Sequence, residues 1–206
     1  MAVGGHVLVE ATAPLSRQIA QTSTARQFDP SNPSFHPVVA AGRNGDVPSL
    51  RSGWTEGSLV LCSDCHGSDT SRKAGGSGPN GVHGSNYPGL LLGRYETIDD
   101  TPESSAAYAL CYRCHERDGY DGILSDRSFP HSTHVVDSRT PCSVCHDPHG
   151  ISSAQGNRIN NSHLINFDTS VVQPDPFGRM EFVDQGRFSG SCNLTCHGVV
   201  HSNLGY

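Results

Sequence analysis

Cys142-Ser143-Val144-Cys145-His146 is the stretch on which the reading of this chain turns. The same spacing recurs at Cys62-Ser63-Asp64-Cys65-His66 and at Cys111-Tyr112-Arg113-Cys114-His115. Cys192-Asn193-Leu194-Thr195-Cys196-His197 repeats it with one extra residue inside the loop. Together the four stretches use all 8 cysteines. At this composition chance would produce about 0.02 C-x-x-C-H motifs. The pattern is the attachment signature of haem c. Two thiols form thioethers with the two vinyl groups of one porphyrin, and the adjacent His sits under the iron. A short turn serves because the thiols must reach different vinyls while the His turns inward. Disulfides or zinc ribbons would account for paired cysteines, but not for a His after every second one.

Four haem c groups are therefore expected, attached at Cys62 and Cys65, Cys111 and Cys114, Cys142 and Cys145, and Cys192 and Cys196. Their proximal iron ligands are His66, His115, His146 and His197. The rest of the composition agrees. Only 34% of the 206 residues are hydrophobic, and the chain carries 23 Gly and 13 Pro. Such a chain cannot bury a large core of its own side chains. Four flat apolar porphyrins would supply that core. The expected fold is mostly irregular coil with a few short helices and little strand, wrapped around a stack of four haems. Residues 1–206 form one domain, with 1–61 as an N-terminal arm and wrapping segment and 62–206 as the haem-binding region.

Within that frame, residues 6–10 read as a short strand or extended arm and 29–33 as a turn cluster. His36 precedes Pro37 and is pushed toward an extended conformation. Trp54, the single tryptophan, is expected near the first haem. Residues 75–81 form a glycine-rich loop. Residues 102–110 read as one short helix with Thr101 as N-cap and Pro102 in its first turn.

Eight histidines remain for the sixth ligand. Methionine is limited to Met1 and Met180, so His/Met pairing is closed to most sites, and axial identity is a main lever on potential. Bis-His ligation at low potential follows. The favoured distal ligands are His36, His83, His134 and His149, with His6, His131, His163 and His201 in reserve. His149 lies three residues past a proximal His and cannot reach the far face of its own porphyrin, but it can reach a neighbouring one. The same logic holds for His201, four residues past His197.

Net charge is −6. Propionates and ferric centres take this to about −10 oxidised and about −14 reduced. With Lys73 as the single lysine and no basic patch, this argues against nucleic acid and against an anionic membrane surface. Haem c is attached outside the cytoplasm, yet residues 1–10 show no charged n-region and no long apolar run. The export signal is read as already removed. No window approaches the ~20 apolar residues of a membrane span. An extracellular or outer-surface location is expected.

The C-terminal half carries a resemblance. Phe129, His131 and His134-Val135-Val136 lead into Thr140-Pro141-Cys142-Ser143-Val144-Cys145-His146-Asp147-Pro148-His149-Gly150. His163-Leu164-Ile165-Asn166-Phe167-Asp168 and the C-x-x-x-C-H ending follow. These residues resemble the multihaem cytochromes of metal-reducing bacteria, and the size and ending are similar to the tetrahaem outer-surface filament cytochromes. That resemblance implies an electron-conducting subunit of a head-to-tail extracellular homopolymer, passing electrons to external acceptors. It also implies that an axial His can come from the neighbouring subunit. His6, on its N-terminal arm, is the expected donor and His36 the next candidate. Two other readings are a multihaem reductase of a small oxyanion or metal ion and a monomeric periplasmic electron shuttle. A reductase needs an iron with an open position; some use C-x-x-C-K, which is absent here. The chain is therefore read as a carrier and not an enzyme, with other redox proteins as partners.

Overall fold

The computed structural model describes residues 15–125, 127 and 129–206. Regular structure is short everywhere, and it forms first at the cysteines. Cys62–Cys65 (α2) and Cys142–Cys145 (α3) are single helical turns, and Cys111–Arg113 is a 3-10 turn. A one-turn helix gains little by itself, so these turns depend on what is packed around them. One further turn, Thr24–Gln27 (α1), lies in the N-terminal wrapping segment. Ser132–Asp137 forms a π-helical turn beside the third motif.

Two small antiparallel sheets complete the regular structure. Ser34–Phe35 (β1) pairs with Gly150–Ile151 (β2), Phe35 opposite Gly150. The second sheet is built on Gly190–Cys196 (β5). Val172–Gln173 (β3) and Glu181–Asp184 (β4) line one edge of β5, and Val199–Gly205 (β6) runs along the other. The expected class, coil with short helices and little strand, holds. The C-terminal placement of the strands was not legible, because residues 151–191 read as polar and turn-rich.

The apolar core is small and lies against the cysteines. One cluster of Val144, Ile165, Phe167, Val172, Phe182 and Leu194 packs on Cys145, Cys192 and Cys196. A second, of Ala107, Tyr108, Tyr112 and Val135, packs on Cys142. Much of the rest is held by polar contacts from the wrapping segment. Arg17 donates to the carbonyls of Asn166 at 2.8 Å and His146 at 2.9 Å, and also to that of Ser143. The Asn166 amide accepts from Ile19 N–H at 2.9 Å and donates to Ile19 O at 3.1 Å. Gln21 bridges Asp147 and Gly150.

Two local expectations need correcting or closing. Residues 105–110 form successive turns, not one helix. Their cap is Ser104, whose Oγ accepts from Ala107 N–H at 3.1 Å; Thr101 instead donates to Ile98 O. The expected turn cluster at 29–33 is present, with Asp29 Oδ1 accepting from Ser31 N–H at 2.8 Å. The arm at 6–10, with His6, lies outside the described residues. No helix among the described residues is long and apolar enough to cross a membrane.

Candidate haem sites

The three strict motifs share one local design. In each, the His N–H closes the turn onto the first cysteine's carbonyl: His66 to Cys62 at 2.8 Å, His115 to Cys111 at 3.1 Å, His146 to Cys142 at 2.9 Å. His66 and His146 then extend with nearly the same dihedrals, φ −101, ψ 132 and φ −104, ψ 131. Each His next meets a distant segment in an isolated antiparallel bridge, opposite Leu91, Leu50 and Ile165 respectively. Two flanking bonds seal every bridge. The second cysteine's carbonyl accepts from the distant strand (Leu92 to Cys65, Arg51 to Cys114, Asn166 to Cys145), and the residue after the His donates back. The motif is thus a turn plus a clamp, and only the turn is local in sequence.

The clamp also occupies one nitrogen of each imidazole. His66 Nδ1 donates to Gly89 O at 2.7 Å and His146 Nδ1 to His163 O at 2.7 Å, while His115 Nδ1 bonds Ser49 Oγ at 3.0 Å. Three further histidines follow the rule. His134 Nδ1 donates to Pro130 O at 2.8 Å, His149 Nδ1 to Gln27 Oε1 at 2.9 Å, and His36 Nδ1 to Pro148 O. Metal-ligating histidines characteristically commit one ring nitrogen in this way and leave the other for the metal. His131 differs: its Nδ1 is buried with no protein partner among the described residues, a polar atom that a bound group would satisfy.

Rings of these histidines, with His201, stand close in pairs. His66 and His149 stand with ring centres 6.2 Å apart, His131 and His146 6.4 Å, and His134 and His201 6.2 Å. A metal–imidazole bond of about 2 Å, with about 1.1 Å from nitrogen to ring centre, doubled, gives about 6.3 Å. Two imidazoles sharing one metal from opposite faces would have this centre-to-centre spacing. His115 is buried, which lowers its pKa to about 4, and His36 and His146 act on it in the same direction. Burial likewise lowers His146 to about 4 and His131 to about 3. All three are held as the neutral imidazole that a metal requires. Among the described residues no three or more His, Cys, Asp or Glu converge to hold a bare ion, and all eight cysteines are free. Paired imidazoles in a chain with eight free thiols suit haem c.

The other expected ligands are placed elsewhere. His83 is exposed beside Gly81 on its own loop. His163 stands near Asp46 and Asp184 and contributes its backbone carbonyl, not its ring, to His146. His197 is exposed on the β5–β6 turn, its Nε2 donating to Asp99 at 2.9 Å. The extra residue of the fourth motif has a large effect. Cys192 and Cys196 lie in strand β5, where four residues span about 13 Å, instead of one helical turn.

Neighbouring motifs touch. Cys65 lies within electrostatic reach of Cys114, Cys111 of Cys142, and Cys145 of Cys192 and Cys196. His146 and His149 serve different pairs, as do His131 and His134, so single short segments tie adjacent sites together. Beside the first two motifs, a cavity of about 520 Å³ is lined by Trp54, Asp64, Cys114 and the cations Arg51, Lys73 and Arg113. Those cations suit a group that carries carboxylates.

Residues 54–120, which hold the first two motifs, match the family model described as a doubled CXXCH motif. The match supports a multihaem c-type cytochrome with covalently bound haem c, acting in electron transfer. No curated protein and no solved structure matches the chain. In haem c attachment each thiol adds across a vinyl group: S–H breaks, C–S and C–H form, and nothing leaves.

Several partners of this site were invisible in the sequence. Gln27, Ser49, Gly89 and Asp99 reach their histidines across 23 to 122 positions. Only Pro130, four residues before His134, stood at a helical spacing that could have been noticed.

Proposed function

We propose that this chain is a tetrahaem electron carrier working outside the cytoplasm, and that it polymerises head to tail into a conducting filament. The observation that carries the first part is the set of paired imidazoles, three pairs with ring centres 6.2–6.4 Å apart. When bound, haem iron supplies a one-electron ferric–ferrous couple. The chain's own part is to close both faces of each iron, to exclude water, and to hold adjacent sites in contact. With two imidazoles per site no position is left open for a substrate, which favours a carrier over a reductase. The filament part is supported by the resemblance of the C-terminal half to the tetrahaem outer-surface filament cytochromes, and by an open head-to-tail interface being the geometry that does not close into a ring.

The test is on the native protein. All haems should be low-spin in both redox states, with no rapid carbon monoxide binding when reduced. Fast binding by a substantial fraction would overturn the carrier reading in favour of a reductase. Negative-stain images should show filaments, and monomers alone would leave a soluble shuttle.

A further inference from the structure

The clamps around the three strict motifs match one another except at one residue, Ser49. We propose that Ser49 is a positioning residue that tunes the second site. It holds the haem of Cys111 and Cys114 at a higher potential than the carbonyl acceptors of the other two clamps hold theirs, so that this haem is reduced first of the three. The proposal rests on the haem reading above.

The clamps align residue by residue. The carbonyls of Leu90, Ser49 and Leu164 accept from the residue after the proximal His, namely Gly67, Glu116 and Asp147. The next residues, Leu91, Leu50 and Ile165, bridge to His66, His115 and His146. The residues after those, Leu92, Arg51 and Asn166, donate to the second cysteine's carbonyl. Ser49 therefore occupies the position that Leu90 and Leu164 occupy in the other clamps.

At that position the backbone differs. Leu90 and Leu164 have φ 55 and φ 63, in the left-handed region. The carbonyl one residue earlier, of Gly89 or His163, accepts from the imidazole Nδ1 at 2.7 Å. Ser49 keeps a negative φ, and its own hydroxyl takes the place of that carbonyl, with Oγ 3.0 Å from His115 Nδ1. His36, His134 and His149 also meet carbonyl oxygens, those of Pro148, Pro130 and the Gln27 side chain. His115 alone of these rests on a hydroxyl. Ser49 is only 8% exposed, so bulk water does not stand in for it.

The chemistry gives the sign. A neutral imidazole bound to a metal through one nitrogen keeps its hydrogen on the other, so Nδ1 donates and Oγ accepts. An alcohol oxygen carries less negative charge than an amide carbonyl oxygen and accepts more weakly, in keeping with the longer distance. A weaker pull on the Nδ1 hydrogen leaves the ring a poorer electron donor to the iron, and the ferrous state gains relative to the ferric. The step is one electron delivered by a redox partner. No proton leaves the ring, and no bond forms or breaks. Contacts between motifs place this site between the first and the third, so the electron rests at an interior position.

The experiment is a spectroelectrochemical titration of the matured protein, wild type against Ser49→Ala and Ser49→Thr, with intact mass and electron paramagnetic resonance on each. A wild-type mass equal to that of the bare chain would sink the haem reading itself, separately from this proposal. Ser49→Ala should keep the wild-type haem count and spin state and move one potential upward. The expected size is roughly threefold to tenfold in the ferrous-to-ferric ratio at fixed applied potential, about 30–60 mV for one electron. Ser49→Thr, which keeps the hydroxyl, should leave every potential in place. The potential that moves should rank first or second of the four in wild type, since the fourth site stands outside the comparison. No shift in Ser49→Ala, an equal shift in Ser49→Thr, or a moving potential that ranks third or fourth would overturn the proposal. Haem loss or high-spin signal in Ser49→Ala would overturn it too, by giving Ser49 a part in ligation instead of tuning.

Discussion

A histidine held ready for a metal has its second nitrogen occupied, and His36, His66, His115, His134, His146 and His149 meet that condition through Nδ1. Among these acceptors Gln27 is the one side-chain amide, and it can be removed without touching the backbone. Its bond to His149 makes that imidazole more electron-rich, which would favour the ferric state of an iron held between His149 and His66. Gln27→Leu should raise that haem's potential by about 20–60 mV, taking about 0.5–1.5 kcal/mol for the bond and 59 mV per 1.4 kcal/mol for one electron. Spectroelectrochemical titration should show one of four potentials moving upward; no movement would mean the amide does not tune the iron. Burial also sets a pH dependence. His115, His131 and His146 have folded pKa values near 4, 3 and 4, below the ordinary value of about 6.5. The unfolded chain therefore takes up protons that the folded chain refuses. Stability is full above pH ~6.5 and falls toward pH ~4, by at most about 1.4 kcal/mol per histidine per pH unit. The guanidinium midpoint should drop between pH 7 and 5, and an unchanged midpoint would show that these rings are accessible to protons.

At the scale of the element, the clamp matters more than the turn. Its distant strands include Leu90, His163 and Leu164 with φ 55, 54 and 63, conformations unfavourable for bulky side chains and typical of sites where surroundings over-determine the backbone. The β1–β2 pair is the point where two sites are fixed at once, since His36 follows β1 and His149 precedes β2. Gly150 allows this: it has φ +151, and a Cβ there would lie 2.3 Å from Gln27 O and 2.8 Å from Phe35 Cα. Backbone cannot yield as a side chain can. Gly150→Ala should therefore disturb ligation at both the His149 and the His36 sites, giving about half the haems altered spectra, whereas disturbance of neither would show the pairing to be slack. The wrapping segment can be tested separately. Arg17→Ala removes charge-assisted bonds to three carbonyls around the third motif. At about 1.5–3 kcal/mol for a bond to a charged group, it should lower Tm by several degrees while leaving haem count and spin state unchanged.

For the whole molecule, the small apolar clusters cannot account for a folded chain of this length, and the cysteines that line them mark where the missing apolar mass belongs. The native protein should exceed the bare chain by about 2.5 kDa, one haem per motif. Three haems instead would show that the strand-borne Cys192 and Cys196 are too far apart to share a porphyrin. Within one chain the described residues assemble three imidazole pairs, and with His36 and His115 as a fourth, ligation would need no ninth histidine. His6→Ala should consequently leave all haems low-spin. Shortened filaments with unchanged spectra would place the N-terminal arm in assembly, while a high-spin fraction would make His6 an axial donor to a neighbour.

Attachment chemistry is local, and for that reason the sequence by itself determined it. Two thiols and a His must be presented to one porphyrin edge, which ties them to a spacing of a few residues that any chain with this function displays. Scarcity of methionine likewise restricted the axial ligands to histidine, and low apolar content restricted the fold to coil around cofactors. Which histidines meet was decided only in three dimensions. His149 reaches His66 across 83 positions, and His163 gives its carbonyl while His131 gives its ring. A spacing rule carries no information about such pairs, because they are set by bridges between segments far apart in the chain. The fourth site shows the limit most clearly. One inserted residue turns a helical turn into a strand, and the hairpin that ends the strand sets the adjacent His197 against Asp99 while His201 arrives on the return strand opposite Leu194.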